Sequence, residues 1–218
     1  MTKKYLLILF VFIANTCVAG ITEKYSQVVT TDKGFIFKVE PITYDEKYKK
    51  DKGLVVKEPS NAKFMRDGNP WPDDIIDYMH HVYATSWETF DDLKKAGIKT
   101  TNPLTLAFVL YDDKGNIVGD AGIQTVRRGL EAEIFFNIMP EYRRKGIGYA
   151  VSKYLIDFYR NNFKGDKIAA TAMPHNKASK GLLIKLGMTR KCDKKGKPMV
   201  YRNEKYGKNF DIFIMSVR

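Results

Sequence analysis

Cysteine is almost missing from this chain. Its 218 residues include two, Cys17 and Cys192. If residues 1–19 are removed, Cys192 stands alone and no intramolecular disulfide can form. The lack of a disulfide framework neither supports nor excludes export. Histidine is scarce too, with three residues. His80 and His81 are adjacent, so on a helix they point about 100° apart. No cysteine or carboxylate cluster completes a metal site beside them, and no metal is expected. There is no G-x-x-x-x-G-K-[ST] and no six-residue G-x-G-x-x-G, which sets aside a Walker-type nucleotide site and the dinucleotide fingerprint. A membrane-spanning helix needs about 20 apolar residues, and the run from Tyr5 to Ala14 is shorter. Neither an internal repeat nor a low-complexity segment is present.

Acidic residues are outnumbered. Against 25 Asp and Glu stand 37 Lys and Arg, a net charge of +12. Such an excess favours anionic partners: nucleic acid, the ribosome, a membrane surface or a polyphosphate ligand. Charge alone does not choose among these. With 44% hydrophobic and 28% charged residues the composition is that of a globular protein. The N-terminus has its own layout: a basic MTKK, the apolar YLLILFVFIA, then NTCVAG with Cys17 and Ala19 placed for cleavage before Gly20. That is the pattern of a secretory signal peptide. The alternatives are a retained anchor and a buried N-terminal helix.

Residues 20–32 are polar and are expected to form a leader. GFIFKVEPIT (34–43) alternates as a strand does, and the charged stretch after it is expected as loop. WPDDIIDYMHHVY (71–83) opens as a helix, with Pro72 in the first turn, Asp73 and Asp74 at its positive end, and Ile75, Ile76, Met79, Val82 and Tyr83 on one face. Thr85-Ser86-Trp87-Glu88 starts a second helix with a capping-box pattern. Segments 104–111, 116–126 and 131–138 are expected as a three-strand meander with short turns. Ile147, Ala150, Val151, Tyr154, Leu155 and Phe158 then follow helical spacing. KIAATAM (167–173) is a strand, Asn176 caps a helix that stops at Gly187, and KPMVYRN and NFDIFIMSV are the last two strands. The expected order is strand, two helices, three strands, helix, strand, helix, two strands. This is one mixed α/β domain over residues 33–218.

The segment RRKGIG (143–148) lies where the third meander strand passes into a helix. The first-turn N–H groups of a helix have no partner inside it and carry the positive end of its dipole. Gly146 and Gly148 remove side chains that would block close approach. A pyrophosphate can then accept a row of main-chain hydrogen bonds, with Arg143, Arg144 and Lys145 adding diffuse positive charge.

This segment and its flanks resemble the GNAT superfamily of N-acetyltransferases. The acetyl-CoA loop of that family is Q/R-x-x-G-x-G/A, which Arg143, Gly146 and Gly148 match. NIVGDAGI is similar to its second and third strands. HNKASKGLLIKLGM resembles N-x-x-S/A-x-x-L-x-x-x-L-G-F, with Met188 at the usual aromatic. AEIFFNI resembles the fourth strand, and GFIFKVEPIT the opening strand, of the branch that acetylates ribosomal-protein N-termini. The resemblance spans about residues 33–218. It implies a mixed, mostly antiparallel sheet of about seven strands flanked by helices, with a splayed central pair holding the pantetheine of acetyl-CoA.

Residue roles follow from the resemblance. Backbone groups near Asn137 and Ile138 would bind the pantetheine arm and the thioester carbonyl. Arg143, Arg144, Lys145, Gly146, Ile147, Gly148 and Tyr149 would hold the pyrophosphate, and Asn176 would contact the CoA arm. The acceptor amine must be neutral to react; a free α-amine titrates near about 8 and a lysine near about 10.4. Glu133 is the candidate base, with Glu131 and Glu88 as substitutes. Many members place a Tyr seven residues after the Asn, where this chain has Leu183. Ser179 is the polar residue left there, as acid or thiol contact, and the thiolate could also leave unprotonated. His175 is a lesser catalytic candidate. Trp71, Tyr78 and Trp87 fall where the acceptor-side helices of the family run, with core packing the plainer role. The lysine run 191–197 reads as a solvated loop.

The implied activity is direct acetyl transfer from acetyl-CoA to a primary amine, of a protein N-terminus or a small molecule. Two other classes stay open: an inactive CoA-binding module, and a basic nucleic-acid or ribosome binder. Membrane contact is expected only if the N-terminal segment is retained. The composition, rich in Lys, Ile, Asn and Tyr, suits an AT-rich bacterium. Export and a cytosolic cosubstrate pull against each other. They are reconciled by delivery to a host compartment that contains acetyl-CoA, or by a membrane anchor.

Overall fold

The computed structural model describes residues 21–42, 83, 86–99, 104–124, 132–203 and 207–217. The expected signal segment, the charged stretch after Ile42, Trp71, Tyr78, His80, His81 and Glu131 lie outside these residues.

The strands are β1 (Gln27–Thr30), β2 (Ile36–Pro41), β3 (Leu106–Tyr111), β4 (Ile117–Gln124), β5 (Glu133–Ile138), β6 (Lys167–Ala172), β7 (Thr189–Arg190), β8 (Val200–Asn203) and β9 (Lys208–Ser216). Two helices follow β5 and β6: α1 (Ile147–Asn162) and α2 (Lys177–Lys185). Residues 86–95 are also helical. β3, Leu-Ala-Phe-Val-Leu-Tyr, is buried at all its positions, as an interior strand covered on both faces must be.

Among the described residues, one nine-stranded sheet runs in the order β1-β2-β3-β4-β5-β6-β9-β7, with β8 also on β9. The mixed, mostly antiparallel sheet flanked by helices is as expected. The strand count is higher than about seven because β1 and the two-residue β7 add to it. Within the expected leader, residues 21–32 are not loose. Residues 21–25 are helical and bury Ile21 and Tyr25, and β1 pairs antiparallel with β2 from Gln27↔Val39 to Thr30↔Ile36.

Neighbouring strands pair antiparallel except β5 and β6, which are parallel and register at one position, Glu133↔Ala169. Beyond it the ladder stops, so the sheet carries a wedge open towards Ile138 and Met173. β4, in contrast, follows β5 along its whole length, from Gln124↔Glu133 to Gly119↔Ile138.

The main core lies between this sheet and α1, which buries Ile147, Val151, Leu155, Phe158 and Tyr159. Trp87 is fully buried there. Its ring meets Phe108 edge-on at 5.0 Å and its Nε1–H donates to the Ala107 carbonyl at 2.9 Å, so the polar end of a large apolar side chain is satisfied. Trp87 is thus a core residue and does not line an acceptor pocket. The N-terminal segment is tied to the same cluster: Tyr25 packs against Trp87 at 5.4 Å and donates from its hydroxyl to Asp91 Oδ1 at 2.8 Å. Lys24 and Lys95 also pair with Asp91, at 2.6 and 2.7 Å. Burial pushes the Asp91 carboxyl up, but the hydrogen bonds from Lys24, Lys95 and Tyr25 outweigh it and bring it down to about 2.

Candidate functional site

After β5 the chain makes one turn of 3₁₀ helix, Pro140–Tyr142, and then enters α1. Arg144 sits in the left-handed region at φ 68°, uncommon for a residue with a side chain. Its carbonyl accepts from Lys33 Nζ at 2.9 Å, which holds the kink. Gly146 caps α1 at φ 84° with no side-chain capping bond. An added Cβ there would stand 2.6 Å from Asp32 Oδ1, so the position also has no room for one. Ile147, Gly148 and Tyr149 form the bare first turn, their N–H groups without intrahelical partners and at the positive end of the dipole. At Gly148 a Cβ would crowd Leu182 Cδ1 at 3.1 Å and Phe136 Cε2 at 3.2 Å. This is a cradle that a side chain would fill, and it suits a diphosphate.

The wedge continues this cradle. Met139 donates its N–H to the Val118 carbonyl at 2.9 Å, and Ala132 gives its carbonyl to Ala169 N–H at 2.8 Å. Backbone groups alternate along a strand, so the amides of Phe136 and Ile138 face the gap, whereas that of Asn137 faces β4. The expectation of pantetheine donors near Asn137 and Ile138 is therefore corrected by one residue, to Phe136 and Ile138. The Ile138 carbonyl is already used, accepting from Arg143 Nε at 3.0 Å. Asn137 turns its side chain to the sheet face away from α1, where Nδ2 donates to both Asp120 oxygens at 3.2 Å.

A cleft of about 1420 Å³ joins cradle and wedge. Phe136 and Ile138 form one wall, Met173, Pro174 and His175 the opposite one, and Asn176, Ser179 and Leu182 of α2 a third. Its lining also carries the cations Lys33, Arg143, Arg144, Lys185 and Lys208 and one acid, Asp32. A long, anionic, partly apolar ligand fits this: backbone donors and cations at one end, a narrow apolar slot at the other.

The residues expected to hold acetyl-CoA line this cleft except Lys145, and of the catalytic candidates Ser179 and His175 line it and Glu133 does not. Lys145 turns away, its ammonium 5.0 Å above the Phe35 ring and 4.7 Å above Tyr142. Cation–π contact with two rings takes it off the phosphate face, which corrects its place among the pyrophosphate cations. Glu133 stands at the closed apex of the wedge. Its Oε1 accepts from Thr171 Oγ1 at 2.6 Å and its Oε2 from Gln124 Nε2 at 3.1 Å. Asn176 caps α2, its side-chain oxygen accepting from Ser179 N–H at 3.0 Å, and Ser179 is half-buried against the cleft. Leu183, seven residues after Asn176, is buried in the core, so that position contributes nothing polar. Glu88 is exposed on the helix at 86–95 and is not among the residues lining the cleft. Cys192 is a free, exposed thiol.

Sequence reasoning missed Phe136, Asp32, Lys33 and Lys185. For Asp32 and Lys33 a signal was present: Thr31-Asp32-Lys33-Gly34 is the same kind of turn as Asp112-Asp113-Lys114-Gly115, and it closes the β1–β2 hairpin with Gly34 at φ 76°. Among the described residues, no three His, Cys, Asp or Glu side chains are grouped to hold a metal ion. No described helix is long and apolar enough to cross a membrane.

Residues 51–189 match the family model described as an acetyltransferase (GNAT) domain. No curated protein is matched by the sequence. Solved structures with the same fold include a GNAT-family acetyltransferase from Bacillus anthracis, at TM-score 0.58 and 14% identity over 88% of this chain and 99% of that one. Another is Mycobacterium smegmatis RimJ in complex with CoA-disulfide, at TM-score 0.54 and 16% identity over 88% and 86%. A third is the yncA acetyltransferase from Salmonella typhimurium with its cofactor acetyl-CoA, at TM-score 0.54 and 16% identity over 84% and 94%.

Proposed function

The chain belongs to the GNAT acetyltransferase family, and from that premise we propose that it transfers an acetyl group from acetyl-CoA directly to a primary amine held in the same complex. The observation that carries this is the end of the β5–β6 ladder after Glu133↔Ala169, continuous with the bare first turn of α1. Bound acetyl-CoA supplies an activated acyl group; the protein supplies place and charge.

The N–H groups of Gly146 to Tyr149 hold the diphosphate, and Gly148 keeps the floor of the cradle free of side chain. Phe136 and Ile138 turn their N–H groups into the slot. They align the pantetheine arm and meet the carbonyl oxygen where negative charge develops. Ser179 lies on the α2 wall, placed to donate to the departing sulfur. Glu133, at the apex and seated by Thr171 and Gln124, takes up the proton of the incoming amine, directly or through water. An acceptor with an α-amine, at about 8, loses that proton far more readily at neutral pH than a lysine at about 10.4. A peptide N-terminus therefore suits the site, as does a small-molecule amine of similar basicity. A relative of the same fold is RimJ.

The N-terminal layout supports export, by a cleaved signal segment, to a compartment that holds acetyl-CoA. N-terminal sequencing of the native protein tests that part: a start at Gly20 supports it, and a start at Met1 refutes it. The catalytic reading is tested by following free-thiol release from acetyl-CoA against a panel of peptides, polyamines and aminoglycosides, alongside calorimetric titration of acetyl-CoA. Saturable binding with amine-dependent thiol release is the expected result. Binding with no release for any amine would leave a CoA-binding module, to which the apolar Leu183 is equally suited. No binding at all would remove the cofactor site.

A further inference from the structure

The turn between β1 and β2 is built into the cofactor mouth. Lys33 reaches the Arg144 carbonyl at 2.9 Å. Asp32 stands over Gly146, and its Oδ2 lies 3.5 Å from Lys185 Nζ. Lys185 in turn sits 4.4 Å above the Tyr149 ring. Three segments far apart in sequence, at 32–33, 144–149 and 185, thus bring two ammonium groups to the outer rim of the cleft. An ammonium has three N–H donors; each of these two spends one in the contacts above, so donors remain for a ligand.

These groups border the cradle. The main-chain donors of Gly146 to Tyr149 serve a diphosphate, and they are neutral dipoles. The rim is charged: Lys33, Lys185 and Arg144 against Asp32 leave two net positive charges. Two positive charges match a phosphomonoester, which carries about −1.5 to −2 at neutral pH. A cosubstrate with such a group outside its diphosphate is CoA, whose ribose bears a 3′-phosphate. Asp32 is paired with Lys185. It fixes Lys185 beside Tyr149 before the ligand arrives, which lowers the ordering cost of binding.

We propose that Lys33 and Lys185, arranged around Asp32, form a subsite for the 3′-phosphate, so that the protein discriminates CoA from 3′-dephospho-CoA. This rests on the reading of the cleft as a CoA site. Because the side chains of Asp32 and Lys185 are 52% and 61% exposed, salt screens the interaction. The expected preference at low salt is roughly tenfold, the size of one or two exposed ion pairs, and it shrinks as salt is raised.

The test is calorimetric titration of the full chain with CoA and with 3′-dephospho-CoA, at low and high salt, for wild type, Lys33→Met, Lys185→Met and the control Lys194→Met. Wild type and Lys194→Met should prefer CoA. Each rim variant should narrow the preference to about threefold by weakening CoA more than dephospho-CoA. Equal affinity of wild type for the two ligands overturns the subsite while leaving the CoA reading intact. Equal weakening of both ligands in the rim variants, or the same narrowing in Lys194→Met, also overturns it, because the lysines then act only through general charge. Binding of neither ligand removes the subsite and the CoA reading together. Thermal melts confirm that each variant is folded, and Lys185→Met alone carries the test if Lys33→Met is not.

Discussion

Gly148→Glu separates the folding role of the α1 N-terminus from its binding role, because the two respond with opposite signs. For folding, replacing a helical glycine gains up to about 1 kcal/mol of backbone entropy. A carboxylate in the first turn gains about 0.3–1 kcal/mol more against the dipole. Against this, the new Cβ stands 3.1 Å from Leu182 Cδ1 and 3.2 Å from Phe136 Cε2, and such crowding costs about 1–3 kcal/mol. Both neighbours are half-buried, with room to give, so the sum lies near zero and Tm should move by only a few degrees. For binding, the same carboxylate lies about 5 Å from a diphosphate. At an effective dielectric constant of about 20 that repulsion is about 3 kcal/mol per charge pair; halved for solvent at the open mouth, it remains more than tenfold. The cradle is also filled. The Kd for acetyl-CoA, measured by calorimetric titration, should rise at least about a hundredfold when both effects act. A Gly148→Glu protein that melts normally and binds acetyl-CoA within threefold of wild type would show that this turn does not hold the diphosphate.

Trp87→Ala should cost about 3–5 kcal/mol, because it empties the centre of an aromatic cluster and removes one of the two donors to the Ala107 carbonyl, which keeps the Ile42 N–H; urea unfolding measures it. Asp91 is held at about 2 against an ordinary 3.8, so its ionised form favours the fold. That stability is fully present above about pH 4 and is lost as pH falls through about 2, on the order of 2 kcal/mol in all. Asp91→Asn should flatten the unfolding free energy between pH 5 and 2, and an unchanged acid limb would contradict the assignment. Glu133→Gln should lower kcat/KM by about 10²-fold or more while leaving the Kd for acetyl-CoA unchanged; Ser179→Ala should lower kcat less, since a thiolate can leave unprotonated.

The phosphate cradle was legible because its physics is local. A glycine pair at a strand-to-helix junction has the same meaning wherever the rest of the chain goes, and Gly146 and Gly148 fall as that argument requires. Helix α1 was legible for the same reason, its apolar spacing matching the buried face. Lys145 was not. In sequence it is the equal of Arg144, but the left-handed turn at Arg144 sends the next side chain to Phe35 and Tyr142. β1 was missed because Gln-Val-Val-Thr shows no alternation, and an edge strand with exposed residues on both faces needs none. The wedge itself lies beyond any strand's own pattern. β5 and β6 are neighbours only through α1, and the place where their ladder ends is a property of the pair.

The location of the wedge also bears on the excess of positive charge. A basic chain invites a nucleic-acid reading, and composition alone does not reject it. The structure places Lys33, Arg143, Arg144, Lys185 and Lys208 along one cleft, beside main-chain donors that suit a diphosphate. A nucleic-acid groove needs cations spread along a surface at phosphate spacing, with aromatic faces free to stack. Here the nearby rings are engaged: Tyr142 lies under Lys145 and donates to Asp112 at 2.9 Å, and Tyr149 lies under Lys185. Positive charge gathered at the mouth of a slot, with an apolar floor behind it, matches a ligand that is anionic at one end only. Acetyl-CoA has that asymmetry and a polynucleotide does not. The salt dependence of acetyl-CoA binding should therefore be shallow, set by a few phosphates, and not the steep slope of a protein that releases many counterions.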